Sequence, residues 1–252
     1  MHIVSITNQK GGVGKTTISF NLSKGLSAKG YKVLAIDNDP QGNLTSAFLE
    51  DPTQLNEYAD IIQIYNDNDA KIEPQKISKG LYLIGANIHL SKISEKDFDV
   101  IFQLKERLSL IKNQFDFVLI DCLPSFGYLH MAALNAADKA LIPIKPAPFA
   151  FAGLKDLFET IAKTKKRLNP DLDILGIILN LVEGKQTTMG AELEETLREN
   201  YGNLVFESRI TKGVKLEESP SFYQSIMEYA PKGKQAQQFK NFINEFLKRL
   251  KE

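Results

Sequence analysis

The chain has one cysteine, Cys122, among 252 residues, which excludes an intrachain disulfide and fits a reducing compartment. It has no excess of either charge, with 31 Lys plus Arg against 31 Asp plus Glu. A globally basic nucleic-acid coat is thereby excluded, and any polyanion binding needs a local patch. No apolar run approaches the ~18 residues of a membrane span. The start, MHIVSITNQK, passes straight into a strand-like run without a signal-peptide layout, so a cytoplasmic protein is expected. His2, His89 and His130 are the only histidines and show no metal spacing, which makes them surface or packing residues. There is no linker and no internal repeat. With 43% hydrophobic and 25% charged residues, the chain is expected to fold as one domain over residues 1–252.

Short β-branched runs alternate with longer amphipathic stretches. Strands are expected at Ile3 to Thr7, Lys32 to Ile36, Leu81 to Gly85, Phe117 to Asp121, Ala140 to Ile144, Ile174 to Leu179 and Leu204 to Phe206. Runs such as VLAID, FVLID and ILGIILN suit strands buried on both faces. Helices are expected at Thr16 to Lys29, Lys96 to Lys112, Tyr128 to Ala137, Ala152 to Leu168 and Thr188 to Asn200, with Gly30 stopping the first and Pro170 ending another. The alternation predicts an α/β fold, a mostly parallel central sheet with helices on both faces. Residues 67–79 read as a surface loop. The segment from Pro143 to Phe149 overlaps a strand end and turns the chain, with no chemistry assigned to it.

The most informative segment is Lys10-Gly-Gly-Val-Gly-Lys-Thr-Thr17, between a strand and a helix. Gly11, Gly12 and Gly14 let the backbone curl so that N–H groups, with those of Val13 and Thr17, face a phosphate. The helix start adds its positive end. Lys15 brings a cation to the β- and γ-phosphates, and the Thr16 hydroxyl suits Mg²⁺. The general pattern G-x-x-x-x-G-K-[ST] is not met, because Gln9 stands where its first glycine belongs. A lysine at position 10 and two glycines stand instead, which is the deviant form of the motif.

Three aspartates fall at or just past the carboxyl ends of strands, the ligand-binding edge of an open parallel sheet. Asp121 suits the carboxylate that holds Mg²⁺, and Asp37 supports the metal shell. Asp39, on the turn Asp37-Asn-Asp-Pro-Gln-Gly-Asn43, is placed to orient an attacking water.

KGGVGKTT, then DNDPQGN, then IDCLPS resembles the ParA/MinD group of deviant phosphate-loop ATPases, and RITKGVKLEESPSF resembles a segment of ParA proteins. The likeness runs from the first residue to the last helix. With no helix-turn-helix domain ahead of the loop, it is closest to the short ParA class. The resemblance implies an ATPase using ATP and Mg²⁺ that works as an ATP-dependent homodimer. It implies that Lys10 reaches the partner's phosphates, that Lys15 and Thr16 serve phosphate and metal, and that Asp39 is needed for hydrolysis. It places Asn180, Thr211 and Gly213 at the base. Relatives often carry proline and asparagine in place of Thr211 and Gly213, and two prolines where Leu123 precedes Pro124. It further implies nonspecific DNA binding through Lys185, Lys212 and Lys215, with Arg209, Lys232 and Lys234 nearby. A ParB-like adaptor with a basic N-terminal segment would stimulate hydrolysis, on the nucleoid.

Two other readings remain open on sequence. A MinD-like membrane switch needs a lipid-seeking terminal helix, and Phe239, Phe242, Ile243, Phe246, Leu247 and Leu250 do repeat at helical spacing. Docking of that stripe onto the sheet explains it equally well and is the expectation, so no stable membrane insertion is expected. An iron–sulfur reductase needs two cysteines per subunit, which one cysteine argues against.

Overall fold

The computed structural model describes residues 1–66, 71–95, 97–147, 150–183 and 188–251. Among the described residues, eight strands form one sheet: β1 His2–Ile6, β2 Val33–Asn38, β3 Gln75–Ser78, β4 Leu81–Ile84, β5 Phe117–Cys122, β6 Lys139–Ile144, β7 Asp173–Val182 and β8 Val205–Thr211. Their order is β3-β4-β2-β5-β1-β6-β7-β8, and every neighbouring pair is parallel except β3 with β4. The helices are α1 Lys15–Ala28, α2 Asn43–Phe48, α3 Ile61–Asn66, α4 Val100–Ser109, α5 Tyr128–Ala136, α6 Ala150–Arg167, α7 Thr188–Tyr201, α8 Val214–Glu218, α9 Ile226–Tyr229 and α10 Lys234–Arg249. The expected α/β architecture is the observed one.

Period-two alternation divides each central strand between two cores. Leu34, Ile36, Val118 and Ile120 face one side, with Leu104, Leu108, Leu129 and Leu157 from α4, α5 and α6. Val33, Ala35, Phe117 and Leu119 face the other, with Ile18, Leu22 and Leu26 of α1 and the aromatic stripe of α10. Both faces are therefore dry, which explains why these strands read as unbroken apolar runs.

The structure corrects several expectations. Of the loop expected over residues 67–79, residues 67–70 lie outside the described residues, and Gln75–Ser78 form β3, which pairs antiparallel with β4 at the sheet's edge. Its alternating half-buried and exposed residues carry little apolar signal. The strand expected at Leu204 to Phe206 runs on to Thr211, where Glu207, Ser208 and Arg209 continue an edge strand that needs no apolar outer side. Of the helix expected over residues 96–112, α4 takes Val100–Ser109 among the described residues, and Lys96 lies outside them. Pro143 lies near the end of β6, as expected, and β6 pairs with β1 only from Lys139 to Leu141. Its missing N–H therefore faces no β1 partner. At Gly30 the backbone is left-handed, φ +95°, and the first helix stops just before it, as expected.

The C-terminal stripe is core. Phe239, Phe242 and Phe246 are fully buried and Ile243 nearly so, and α10 packs on β8, α9 and α1. Phe242→Ala is expected to destabilise the chain by about 3–5 kcal/mol, read as a lower urea midpoint. A stripe kept for lipid would leave that midpoint where it was.

Candidate functional site

The carboxyl ends of β1, β2 and β5 converge on the loop that enters α1. Gly14, the residue before α1, is left-handed with φ +81°. A Cβ there would lie 2.2 Å from the Asn180 side-chain nitrogen, so only glycine fits. A Cβ on Gly11 or Gly12 would meet nothing within 4 Å among the described residues beyond its chain neighbours, so this part of the loop faces open space. No side chain caps the first turn of α1, and that turn carries no acidic residue. Its N–H groups are thus available to an anion. Val13 is buried, while Thr16 and Thr17 are half-buried.

The loop's two lysines occupy different surroundings. Lys15 is buried, with Nζ 3.4 Å from the Lys10 carbonyl. Burial lowers its pKa, while the charges of Asp121 and Asp39 oppose that shift. Lys10 is exposed at the rim, and its backbone N–H donates to Asn8 Oδ1 at 2.9 Å. Asn8 is itself fixed, since its Nδ2 donates to the Pro143 carbonyl at 2.8 Å.

Asp37 and Asp121 are fully buried partners in the β2–β5 register. Burial pushes the Asp37 carboxyl up to about 6, against hydrogen bonds from the Thr45 N–H and hydroxyl, both 2.8 Å. Burial pushes Asp121 up to about 7, with the Asp37 charge adding to it. Asp121 accepts from Thr16 Oγ1 at 2.7 Å and from Ser19 Oγ at 2.9 Å. Hydroxyl and carboxylate oxygens under a cationic loop suit a hard divalent ion such as Mg²⁺. Asp39 is half-buried above them; its Oδ1 accepts from the Gln41 N–H at 3.0 Å, and its own N–H donates to Asp37 Oδ1 at 3.2 Å.

Asn180, fully buried, arrives from β7. Its Nδ2 donates to the Val13 carbonyl at 2.9 Å and lies 3.3 Å from that of Gly14. Its Oδ1 is buried and has no hydrogen-bond partner among the described residues. A bulge aims it: between Leu179 and Val182 β7 spends one residue more than β8, and Leu181 takes φ +52°. Thr211 pairs with Val182 in the same register. Its N–H and hydroxyl meet Gln238 Oε1, each at 3.0 Å, and Gln235 Nε2 lies 3.3 Å from the hydroxyl. A Cβ on Gly213 would stand 2.4 Å from Gln235 Nε2. Gln235 and Gln238, both on α10, went unread in the sequence because they act at long range.

Other contributors were also missed. Ser19 stands three residues past Thr16 on the same helical face, a spacing that could have shown it. Thr7 and Asn8, which precede the motif, were passed over; His130 is one of the packing residues expected, buried with Nε2 2.7 Å from Thr7 Oγ1. Burial, with the Lys15 charge, lowers the His130 pKa to about 4. Among the proposed DNA residues, Lys212 and Lys215 are exposed at the end of β8 and on α8, with Lys212 Nζ 4.0 Å from Glu217. Arg209 pairs instead with Glu194 at 2.9 Å. Lys185 lies outside the described residues. No helix among the described residues is long and apolar enough to cross a membrane.

Residues 1–174 match a family described as an AAA domain. The chain is 34% identical over 251 residues to the sporulation initiation inhibitor protein Soj of Bacillus subtilis (strain 168), covering 96% of this chain and 97% of that one. It is 33% identical over 259 residues to the chromosome partitioning protein ParA of Myxococcus xanthus (strain DK1622), covering 98% and 88%. Among solved structures, cobyrinic acid a,c-diamide synthase from Mycobacterium smegmatis with bound ATP analog and magnesium superposes with a TM-score of 0.83. That pair shares 27% identity over 100% of this chain and 96% of the other. A deviant phosphate loop facing strand-end carboxylates, joined to full-length likeness of this kind, makes the chain a member of the ParA/MinD family of phosphate-loop ATPases, close to the chromosome partition proteins.

Proposed function

We propose that residues 1–252 act as one ATPase domain of DNA partition that binds ATP with Mg²⁺, closes into a dimer, and in that state holds DNA without sequence preference. A ParB-like adaptor then stimulates slow hydrolysis and releases the DNA. The cellular place of such a cycle is the cytoplasm, at the nucleoid. All eight strands belong to one sheet, which supports a single working unit.

The observation that carries the reading is the division of labour between the two lysines. Lys15 lies buried among carboxylates, where its charge serves the chain's own nucleotide. Lys10 is exposed at the rim with its backbone fixed by Asn8, where a cation is presented outward to a second copy's triphosphate. A second cation there offsets charge that develops during phosphoryl transfer. It also makes dimerisation depend on the γ-phosphate, so ATP becomes a switch ligand. Thr16, Asp121 and, behind them, Asp37 would hold Mg²⁺, which when bound neutralises phosphate charge. The backbone of Gly11 to Thr17 cradles the phosphates. Asp39 orients the attacking water, held in place by its turn. The unpartnered Oδ1 of Asn180, with Thr211 and Gly213 beyond it, recognises the base.

DNA contact is assigned to Lys212 and Lys215, with Lys185 from outside the described residues. Backbone phosphates need point charges rather than bidentate geometry, which lysine supplies. Doubling the patch in a dimer raises avidity without any new contact.

Three outcomes test this reading. Lys10→Ala should retain nucleotide binding by equilibrium titration and lose adaptor-stimulated hydrolysis; unchanged stimulated turnover refutes its role. Asp39→Ala should lower single-turnover hydrolysis about 10²-fold or more while an ATP-loaded dimer persists by light scattering. Lys212→Ala with Lys215→Ala should weaken DNA binding and flatten its salt dependence by up to ~0.9 per lost phosphate contact. Equal binding by variant and parent removes the two lysines from the interface.

A further inference from the structure

Away from the nucleotide site, a groove of about 300 Å³ opens between the start of α4, the start of α5 and the second half of α6. Its walls are apolar: Phe98, Phe126, Met131 and Leu168 line it. Phe98 is 49% exposed and Phe126 56% exposed, two of the few large apolar side chains among the described residues that the fold leaves in water. Neither ring is loose. Phe98 makes edge contacts with Phe102 and Tyr128, with centroids 5.8 and 6.3 Å away, and Phe126 meets His130 at 6.0 Å. The groove is thus preformed, with rings held open rather than folded inward.

One side of it is charged. Lys163 and Arg167, one turn apart on α6, line the groove, and no carboxylate does so among the described residues. Both are exposed. The nearest acid pairing, Lys163 with Glu159 at 3.9 Å, is long and wet, and pairs of that kind contribute little. An apolar slot beside two cations discriminates sharply. It favours a segment that inserts an aromatic or aliphatic side chain while setting carboxylates against α6, and it repels a basic segment by like charge.

We propose that this groove is a docking site for an acidic amphipathic segment of a partner protein, seated by one large apolar side chain between Phe98 and Phe126 and held at its carboxylates by Lys163 and Arg167. The partner's chemistry is opposite to that of a basic adaptor segment, so this is a second contact, distinct from the one that stimulates hydrolysis. The inference does not depend on the proposed partition cycle, because its test requires neither hydrolysis nor DNA.

The test uses the full chain and a fluorescent helical peptide with Phe and Leu on one face and Glu on its flanks, beside a twin in which each Glu is Lys. Fluorescence anisotropy is expected to give the acidic peptide about tenfold tighter binding than its twin, shrinking at high salt. The surface variant Lys163→Glu with Arg167→Glu should reverse that preference, and Phe126→Ala should weaken both peptides. Equal binding of the two peptides, no binding of the acidic one, or a preference unchanged in the charge-reversed variant each overturns the proposal. So does nucleotide-independent self-association that the charge reversal abolishes, which would make the groove's occupant a second copy.

Discussion

Two carboxylates buried side by side govern the architecture of the site. Asp37 and Asp121 are register partners on adjacent strands, and both are sealed from water. Placing like charges there is costly, and burial pushes both carboxyls far above their ordinary range. The fold tolerates them because each is surrounded by donors: Thr45 twice for Asp37, Thr16 and Ser19 for Asp121, and the Lys15 charge nearby. The Lys15 charge favours the ionised form of Asp121, and the Asp121 charge in turn favours charged Lys15, so the loop lysine and the strand-end carboxylate support each other's charge.

What could be read from sequence follows from range. The phosphate loop is eight contiguous residues whose chemistry is local, and the aspartates follow apolar runs that mark strand ends by themselves. Both were legible, and so were the parallel sheet and the docking of the C-terminal stripe, since helical and strand periodicities are local too. The residues that brace the site were not. Asn8 reaches Pro143, Thr7 reaches His130 and Asn180 reaches Val13, each across more than a hundred positions. No spacing announces such a pair. The edge strands β3 and β8 were missed or cut short for a different reason. An edge strand satisfies its backbone on one side alone, and its polar alternation resembles a loop.

The phosphate loop is held on three sides: by Asn8 against β6, by Asn180 against β7, and by Asp121 through Thr16. Substitution there moves several groups at once. Thr211 and Gly213 have one neighbourhood, the glutamines of α10, which meet hydroxyl and backbone alike. A contact made by flexible amide side chains can be re-formed after a change of residue. The neighbourhood of Thr211 and Gly213 is thus local to α10, whereas the phosphate loop is coupled through the sheet.

The turn from Leu123 to Gly127 sits between these regimes. It leaves β5 directly after the buried carboxylate and delivers Phe126 to the outer groove before α5 begins. The Phe126 ring meets His130, and His130 meets the Thr7 hydroxyl one residue ahead of Asn8. The outer groove and the rim lysine therefore share a continuous path of packed and hydrogen-bonded groups. Such a path is not by itself a switch, since coupling requires an element with two arrangements. It does fix where such an element would have to lie. The five residues from Leu123 to Gly127 join the strand that carries Asp121 to the groove, and four of them in a row, Pro124 to Gly127, are exposed. Of these five residues only Leu123 packs against a core, so the exposed stretch after it carries none of the sealing residues, which lie in β5 and α5.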